Sequence, residues 1–481
     1  VSIMTTQQQL TTIPGQTSDT LSPRAADGTH KPGGLAAMNL LDVCEVLVRR
    51  AEKRGATQVE VYGERVTALS SSLEQGLLKG AQAAEHEAFG LRVFVGDKVG
   101  YACVNRRDPK ALDEAIDDAL AIARAAEGDV GNDLFDPLPA RPIHGLDDPA
   151  IRDATVDDAV ALALRMLEAA KAEDARASVD SGSVGLSFGE TAIASSRGLR
   201  VVDQDSAVSV GLFGMAIDGD EVSSFDHAAD AVRFLRDVDV EHIGREFARR
   251  VTALLKPRAG KAYTGPVLFS PEAFEEIFLA TLLSATDGDT VLKGRSRLQD
   301  KLGTRIATSG LTLVDDGTRA GAIGSAAFDR EGRPHRRTVI VGDGVLHRFL
   351  YDGRAARRAK TQPTGHAQGS ARSMPSIGTT NLAMAPGHLS DKALFAALGD
   401  GLYVTRFSGN VDEVSGDFSG VAKGSFLVKR GRIVAPVKET LIAGNVYGLL
   451  QRIVGIGSAV KRTMATEAPA VLIDGVVVTT G

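Results

Sequence analysis

Gly90-Leu91-Arg92-Val93-Phe94-Val95, then Gly96-Asp97, then Val99-Gly100-Tyr101-Ala102 reads as a β-hairpin, because two β-rich runs flank a Gly-Asp pair suited to a tight turn. Upstream, Gln58-Val59-Glu60-Val61-Tyr62 alternates with a period of two, as a strand does. Before that, Leu40, Leu41, Val43, Cys44, Leu47, Val48 and Ala51 recur at helical spacing until Gly55 stops them. Downstream, Asp108-Pro109 opens a helix, with Asp as the cap and Pro at its first position. The pattern continues with a helix over 155–172, a Ser/Gly-rich strand meander over 178–217, and a helix ended by Pro257. Beyond Gly265 the chain reads as mostly strand, with helices near Pro271–Ala285 and Asp391–Leu398. No βαβ rhythm appears, so the expected class is α+β, antiparallel sheets with flanking helices. The expected division is a flexible tail over 1–37, an N-terminal α+β domain over 38–127, a central helix-plus-strand-meander region over 128–257, and a mainly β C-terminal domain over 258–481.

Composition excludes several function classes. The 481 residues are 43% hydrophobic and 24% charged, a globular balance. Lys and Arg number 55 against 61 Asp and Glu, for a net charge of −6, and there is no Trp. Nucleic-acid binding, which needs phosphate neutralisation or stacking platforms, is therefore not expected. No apolar run is long enough to span a membrane, and no basic segment followed by an apolar one marks secretion. Two cysteines, Cys44 and Cys103, cannot build a disulfide framework or a thiolate zinc site. A reducing, cytoplasmic setting is expected.

Short motifs give little. Gly185-Leu186-Ser187-Phe188-Gly189 matches a nucleophile-elbow string but runs on into further strand. His86-Glu87 lacks a second histidine one turn later, Gly90 standing in its place. Gly455-Ile456-Gly457 lacks the third glycine of a dinucleotide fingerprint, and no pair among the nine histidines is spaced three or four apart. Between Arg295 and Lys360 stand 14 Lys/Arg against 7 Asp/Glu, either a solvated face or a surface that receives an acidic partner.

The C-terminal part carries a longer constellation: Ser296-Arg297-Leu298-Gln299-Asp300-Lys301-Leu302-Gly303, Leu311-Thr312-Leu313-Val314-Asp315-Asp316, Phe328-Asp329-Arg330-Glu331-Gly332, Thr380-Asn381-Leu382, Ala385-Pro386-Gly387 and Gly416-Asp417-Phe418-Ser419-Gly420. These segments, with Gly90–Phe94 and Ser195-Ser196-Arg197-Gly198 upstream, resemble the TldD/PmbA family of metallopeptidases, the gyrase-modulator family, from about residue 38 to the end. In that family the TldD-type subunit carries an HExxxH helix and a later cysteine that together hold zinc. The corresponding helix here, Pro271–Ser284, contains no histidine, and Ser408 stands where the cysteine is expected. The chain thus resembles the TldE/PmbA-type subunit. The resemblance implies no catalytic or metal residue and no cofactor in this chain, with zinc in a TldD-like HExxxH partner and an enclosed cavity for unfolded peptide. Gly365, Asn381, Ser408 and Asn410 are the candidate peptide groove. Glu272, Glu275 and Glu276 read as charge complementing the helix N-terminus. The competing expectation is a stand-alone peptide-binding or regulatory protein, with a gyrase-modulator-type role, or a homodimer with altered chemistry.

Overall fold

Helix α1 (Leu40–Lys53) begins where the Asn39 side chain accepts the Asp42 N–H at 2.8 Å. It buries Leu40, Val43, Cys44, Leu47, Val48 and Ala51, the stripe its 3.6-residue period implies. The structure, a computed structural model, describes residues 35–438 and 440–480. The expected tail over 1–37 lies outside the described residues, apart from the single turn Leu35–Ala37.

Strands β1 (Gln58–Glu74), β2 (Leu77–Val95) and β3 (Lys98–Val104) form an antiparallel meander covered by α2 (Pro109–Ala125). The first hairpin turns through Gln75 and Gly76, both at positive φ, a twist that matches paired strands. Gly100 lets α2 lie against β3, since a Cβ there would stand 2.0 Å from the Ala119 carbonyl oxygen. After a mostly extended segment come α3 (Val156–Glu173), β4 (Ala177–Ser195), β5 (Arg200–Asp218), β6 (Asp226–Val232) and α4 (Val240–Ala253).

Strand β4 pairs antiparallel with β1 from Glu60↔Ser195 to Glu74↔Ser181. A single sheet in the order β3-β2-β1-β4-β5, with β6 on β5, therefore runs through both the N-terminal and the central regions. Its two halves keep separate cores, one around Leu47, Phe89, Leu91 and Ile116 and one around Met166, Val210 and Phe247.

Beyond α4 come β7 (Tyr263–Phe269) and then α5, residues 271–286, built from the helical turn Pro271–Phe274, a π turn Glu275–Leu279 and the helix Ala280–Thr286. Strands β8 (Leu313–Asp316), β9 (Arg337–Gly342) and β10 (Leu382–Met384) are followed by α6 (Asp391–Leu398). The chain then continues through β11 (Gly401–Val404), β12 (Arg406–Val411), β13 (Asp417–Lys423), β14 (Phe426–Lys429), β15 (Arg432–Lys438), β16 (Thr440–Asn445), β17 (Ile453–Thr463) and β18 (Thr466–Thr480). β18 is the hub, antiparallel to β7, β16 and β17 and briefly parallel to β10. Phe274, Ile277, Phe278 and Leu279 of α5 are fully buried among these strands. Each such side chain contributes about 1.5–3 kcal/mol of burial.

Arginine contacts, some buried and some exposed, join the two bodies. Arg92 donates to Glu60 at 2.7 Å and to Glu331 at 2.6 Å, and Arg330 donates to Glu60 at 3.1 Å. Arg233 of the central region donates to the carbonyls of Ile323 and Ser325 at 2.6 and 2.7 Å. Arg354 pairs with Asp129 and Arg357 with Asp133, each at 2.7 Å. Part of the basic excess between Arg295 and Lys360 thus finds its acidic partner within the chain, in the segment after α2.

Candidate functional site

The site is assembled where the first turns of α5 meet β12. Ser270 caps α5, its hydroxyl accepting the Ala273 N–H at 3.2 Å, and Pro271 takes the first helical position. The π turn follows at once: the Ala280 N–H donates to the Glu275 carbonyl, five residues back. On a regular α-helix, residues five apart point about 140° away from one another. A π turn brings them toward one face, and such turns are frequent at functional sites. The HExxxH spacing of the family this chain resembles asks for that geometry, and α5 has it without the histidines.

Strand β12 pairs with β13 alone among the described residues, so its other side is a free edge. The Asp412 N–H donates to the Asp417 carbonyl at 2.8 Å, which fixes the alternation: even-numbered residues face β13, and the N–H and C=O groups of Phe407, Gly409 and Val411 face outward. Phe407 N–H is used by the Glu276 carboxylate at 3.3 Å. Gly409 and Val411 follow along the open edge. Ser408, Gly409 and Asn410 are exposed, while Phe407 turns inward against Phe418, which packs on Phe278.

The three glutamates of α5 occupy different environments. Burial alone would raise Glu272, but Lys461 at 2.8 Å and Arg250 at 2.9 Å hold it down to about 2. Both cations also contact Glu246, so Glu272 ties α5 to α4 and β17 as well as standing in the first helical turn. Glu275 is half-buried. Loss of hydration pushes it up to about 7, with Glu272 and Glu276 adding repulsion and the Thr466 hydroxyl pulling the other way. Loss of hydration also raises Glu276, against the Phe407 N–H and Arg406.

Of the four groove residues expected from the sequence, the structure brings Ser408 and Asn410 together on β12. Gly365 is buried at positive φ, and its carbonyl accepts from His335 Nδ1 at 2.8 Å. Asn381 is 2% exposed, and its amide is engaged with Gly324 N–H, the Asp316 carbonyl and the Ser325 hydroxyl. It ties down the loop after β8, where it borders a cavity of about 170 Å³ with Arg319, Arg462 and Glu467. Sequence reasoning missed the Phe407 N–H as a partner for Glu276 and the link from Glu272 to Arg250 and Lys461, which join segments far apart in the chain. The GLSFG string lies inside β4, and Gly455-Ile456-Gly457 lies inside β17. Neither stands at a strand-to-helix turn.

The donor set does not fit zinc. At the meeting of α5 and β12 these two elements supply carboxylates and a serine hydroxyl, neither carries an imidazole or a thiolate, and Glu272 is neutralised by two cations. Among the described residues no group of three or more His, Cys, Asp or Glu is arranged to hold a metal ion. Nor is any helix among them long and apolar enough to cross a membrane.

An α+β protein with a free strand edge laid beside a π-turned helix is the class that this geometry defines. Models of the PmbA/TldA metallopeptidase match along the chain: domain 1 over residues 59–123, the central domain over 149–255 and the C-terminal domain over 261–480. The chain belongs to the PmbA/TldD family of metallopeptidases. It is 28% identical over 422 residues to the metalloprotease PmbA of Escherichia coli O157:H7, covering 86% of this chain and 90% of that one. It is 28% identical over 396 residues to a metalloprotease of Methanothermobacter thermautotrophicus, covering 80% and 85%. The crystal structure of TldE from Thermococcus kodakarensis superposes with a TM-score of 0.84 at 25% identity, over 90% of this chain and 99% of that one.

Proposed function

We propose that this chain is the TldE/PmbA-type, metal-free subunit of a peptidase complex, and that it holds unfolded peptide for a TldD-like HExxxH partner. The observation that carries the reading is that α5 has the π turn and its seat beside β12, yet offers no imidazole or thiolate there. The partner supplies the zinc that polarises the scissile carbonyl and activates water. This chain contributes the open edge at Gly409 and Val411, whose N–H and C=O groups can bind an extended backbone whatever its side chains. Folded proteins, with their backbone groups already paired, are excluded. The unpaired thiols Cys44 and Cys103 fit a reducing, cytoplasmic setting.

The test is reconstitution. The purified chain should not cleave unfolded casein, whereas co-expression with an HExxxH relative should give a stable complex with chelator-sensitive peptidase activity. Replacing the partner's motif glutamate should abolish that activity, and E276Q in this chain should not. Cleavage by the isolated chain at the rate of the complex would sink the reading.

A further inference from the structure

The chain has 17 phenylalanines, six tyrosines and no tryptophan, and of these aromatics only Phe213 and Phe225 are exposed, at 38% and 41%. Their rings lie flat on one another, with centres 5.1 Å apart and planes 4° from parallel. Single exposed aliphatic side chains are ordinary on any surface. A solvent-facing aromatic stack is a contiguous apolar platform.

Phe213 stands on the face of β5 turned away from α3 and α4, since its neighbour Leu212 is buried in the core that includes Met166 and Phe247 of those helices. Beside it in the sheet are Ser181 of β4 and His227 of β6, and Gly211 lies two residues back on the same face. Phe225 comes just before β6 and is tied to β12. The Arg406 guanidinium donates to the Phe225 carbonyl and, at 3.3 Å, to the buried Asp226 carboxylate. The stack is thereby fixed at the end of β12 where Glu276 holds the Phe407 N–H.

Arg406, Ser408 and Asn410 share one face of β12, because side chains alternate along a strand. Phe407 occupies the other face, against Phe418. A peptide paired with the free edge at Gly409 and Val411 alternates in the same way. Every second side chain of it falls on the face of Ser408 and Asn410, the face that Arg406 links to the stack. We propose that Phe213 and Phe225 form a side-chain subsite of the β12 edge. It selects unfolded peptides that carry an aromatic or large aliphatic residue at the end nearest Phe407. Backbone pairing supplies affinity whatever the sequence, and a pocket for alternate side chains supplies preference. Asp226 already neutralises Arg406, so an acidic side chain would shed water there without gaining a partner. Large apolar residues are those that a folded protein buries and an unfolded segment displays. The inference rests on the peptide-holding role proposed for β12.

The test is fluorescence anisotropy with the full chain and labelled decapeptides of serine and threonine carrying one central guest, Phe, Ala or Asp. A uniform host lets the peptide slide until its guest meets the stack. The wild type should bind the Phe peptide roughly tenfold more tightly than the Ala peptide, and the Asp peptide no more tightly than the Ala one. F213A and F225A should each lose most of the preference for Phe over Ala, and F213L, which keeps an apolar platform, should retain part of it. Both rings are exposed, so the truncations leave the core intact, and circular dichroism checks that the variants are folded. Equal affinity for the three guests, or a preference that survives in both alanine variants, would overturn the subsite and leave the β12 edge standing. Absence of binding by every peptide would overturn both. Alanine variants that keep the preference but no longer assemble with an HExxxH relative would make the stack a subunit contact and overturn the subsite.

Discussion

The Arg330 guanidinium lies over the Tyr62 ring, 4.0 Å from its centre. Arg330 belongs to the C-terminal body and Tyr62 to β1, and both Arg330 and its second contact, Glu60, are almost fully buried. R330A therefore strands part of a buried carboxylate charge and removes a cation from an aromatic face. The expected loss is about 3–5 kcal/mol, read as an earlier midpoint in urea unfolding. A midpoint within error of wild type would show that the joint between the bodies does not depend on this contact.

Phe278 stands among Phe269, Phe274 and Phe418, with ring centres 5.2, 5.0 and 5.9 Å away. F278A opens a cavity under α5 and should cost about 3–5 kcal/mol. F278L keeps most of the volume and should cost less. Thermal unfolding of the two variants measures the difference, and equal melting temperatures would contradict the packing described.

Glu275 gives a pH-dependent term with a definite sign. Its folded value of about 7 lies above that of a carboxyl in the unfolded chain, about 4.3. The native state thus holds the proton more tightly, and the stabilisation present at low pH is lost as pH rises through 7. E275Q abolishes this term. The stability of E275Q relative to wild type should climb between pH 4.5 and 7 and level off above. Parallel stability curves for the two proteins would refute the assignment.

Metal content is the direct check on the donor set. Tag-free protein purified alone should hold no stoichiometric zinc by elemental analysis. One zinc per chain, lost on replacing His335, His347, His366 or His388, would require a site that the α5–β12 geometry does not contain.

Local patterns were legible in the sequence where burial follows one period. The α1 stripe, the Gly96-Asp97 turn and the cap at Asp108 depend on neighbouring residues, and the structure has them. The outer half of β2 gave no such signal, because 77–83 are exposed on both faces and nothing alternates. The pairing of β1 with β4 left no trace either, as register between distant segments has no local signature. At the candidate site, Ser408 was legible only through the family resemblance. Asn381, polar and near glycines, reads from sequence as a binding residue, yet its amide is engaged in holding the loop after β8.

The antiparallel joint between β1 and β4 also governs how the protein is made. Glu74, the last residue of β1, leaves the ribosome well before Ser195, the last of β4, a delay of about ten seconds at ordinary elongation rates. Throughout that interval the nascent β1 carries Val59, Val61, Leu69 and Leu73, all buried in the finished fold, along an edge whose partner has not yet been synthesised. Until then that edge is open to other chains on the same polysome, and a stall between residues 75 and 176 should release aggregating fragments rather than a folded first domain.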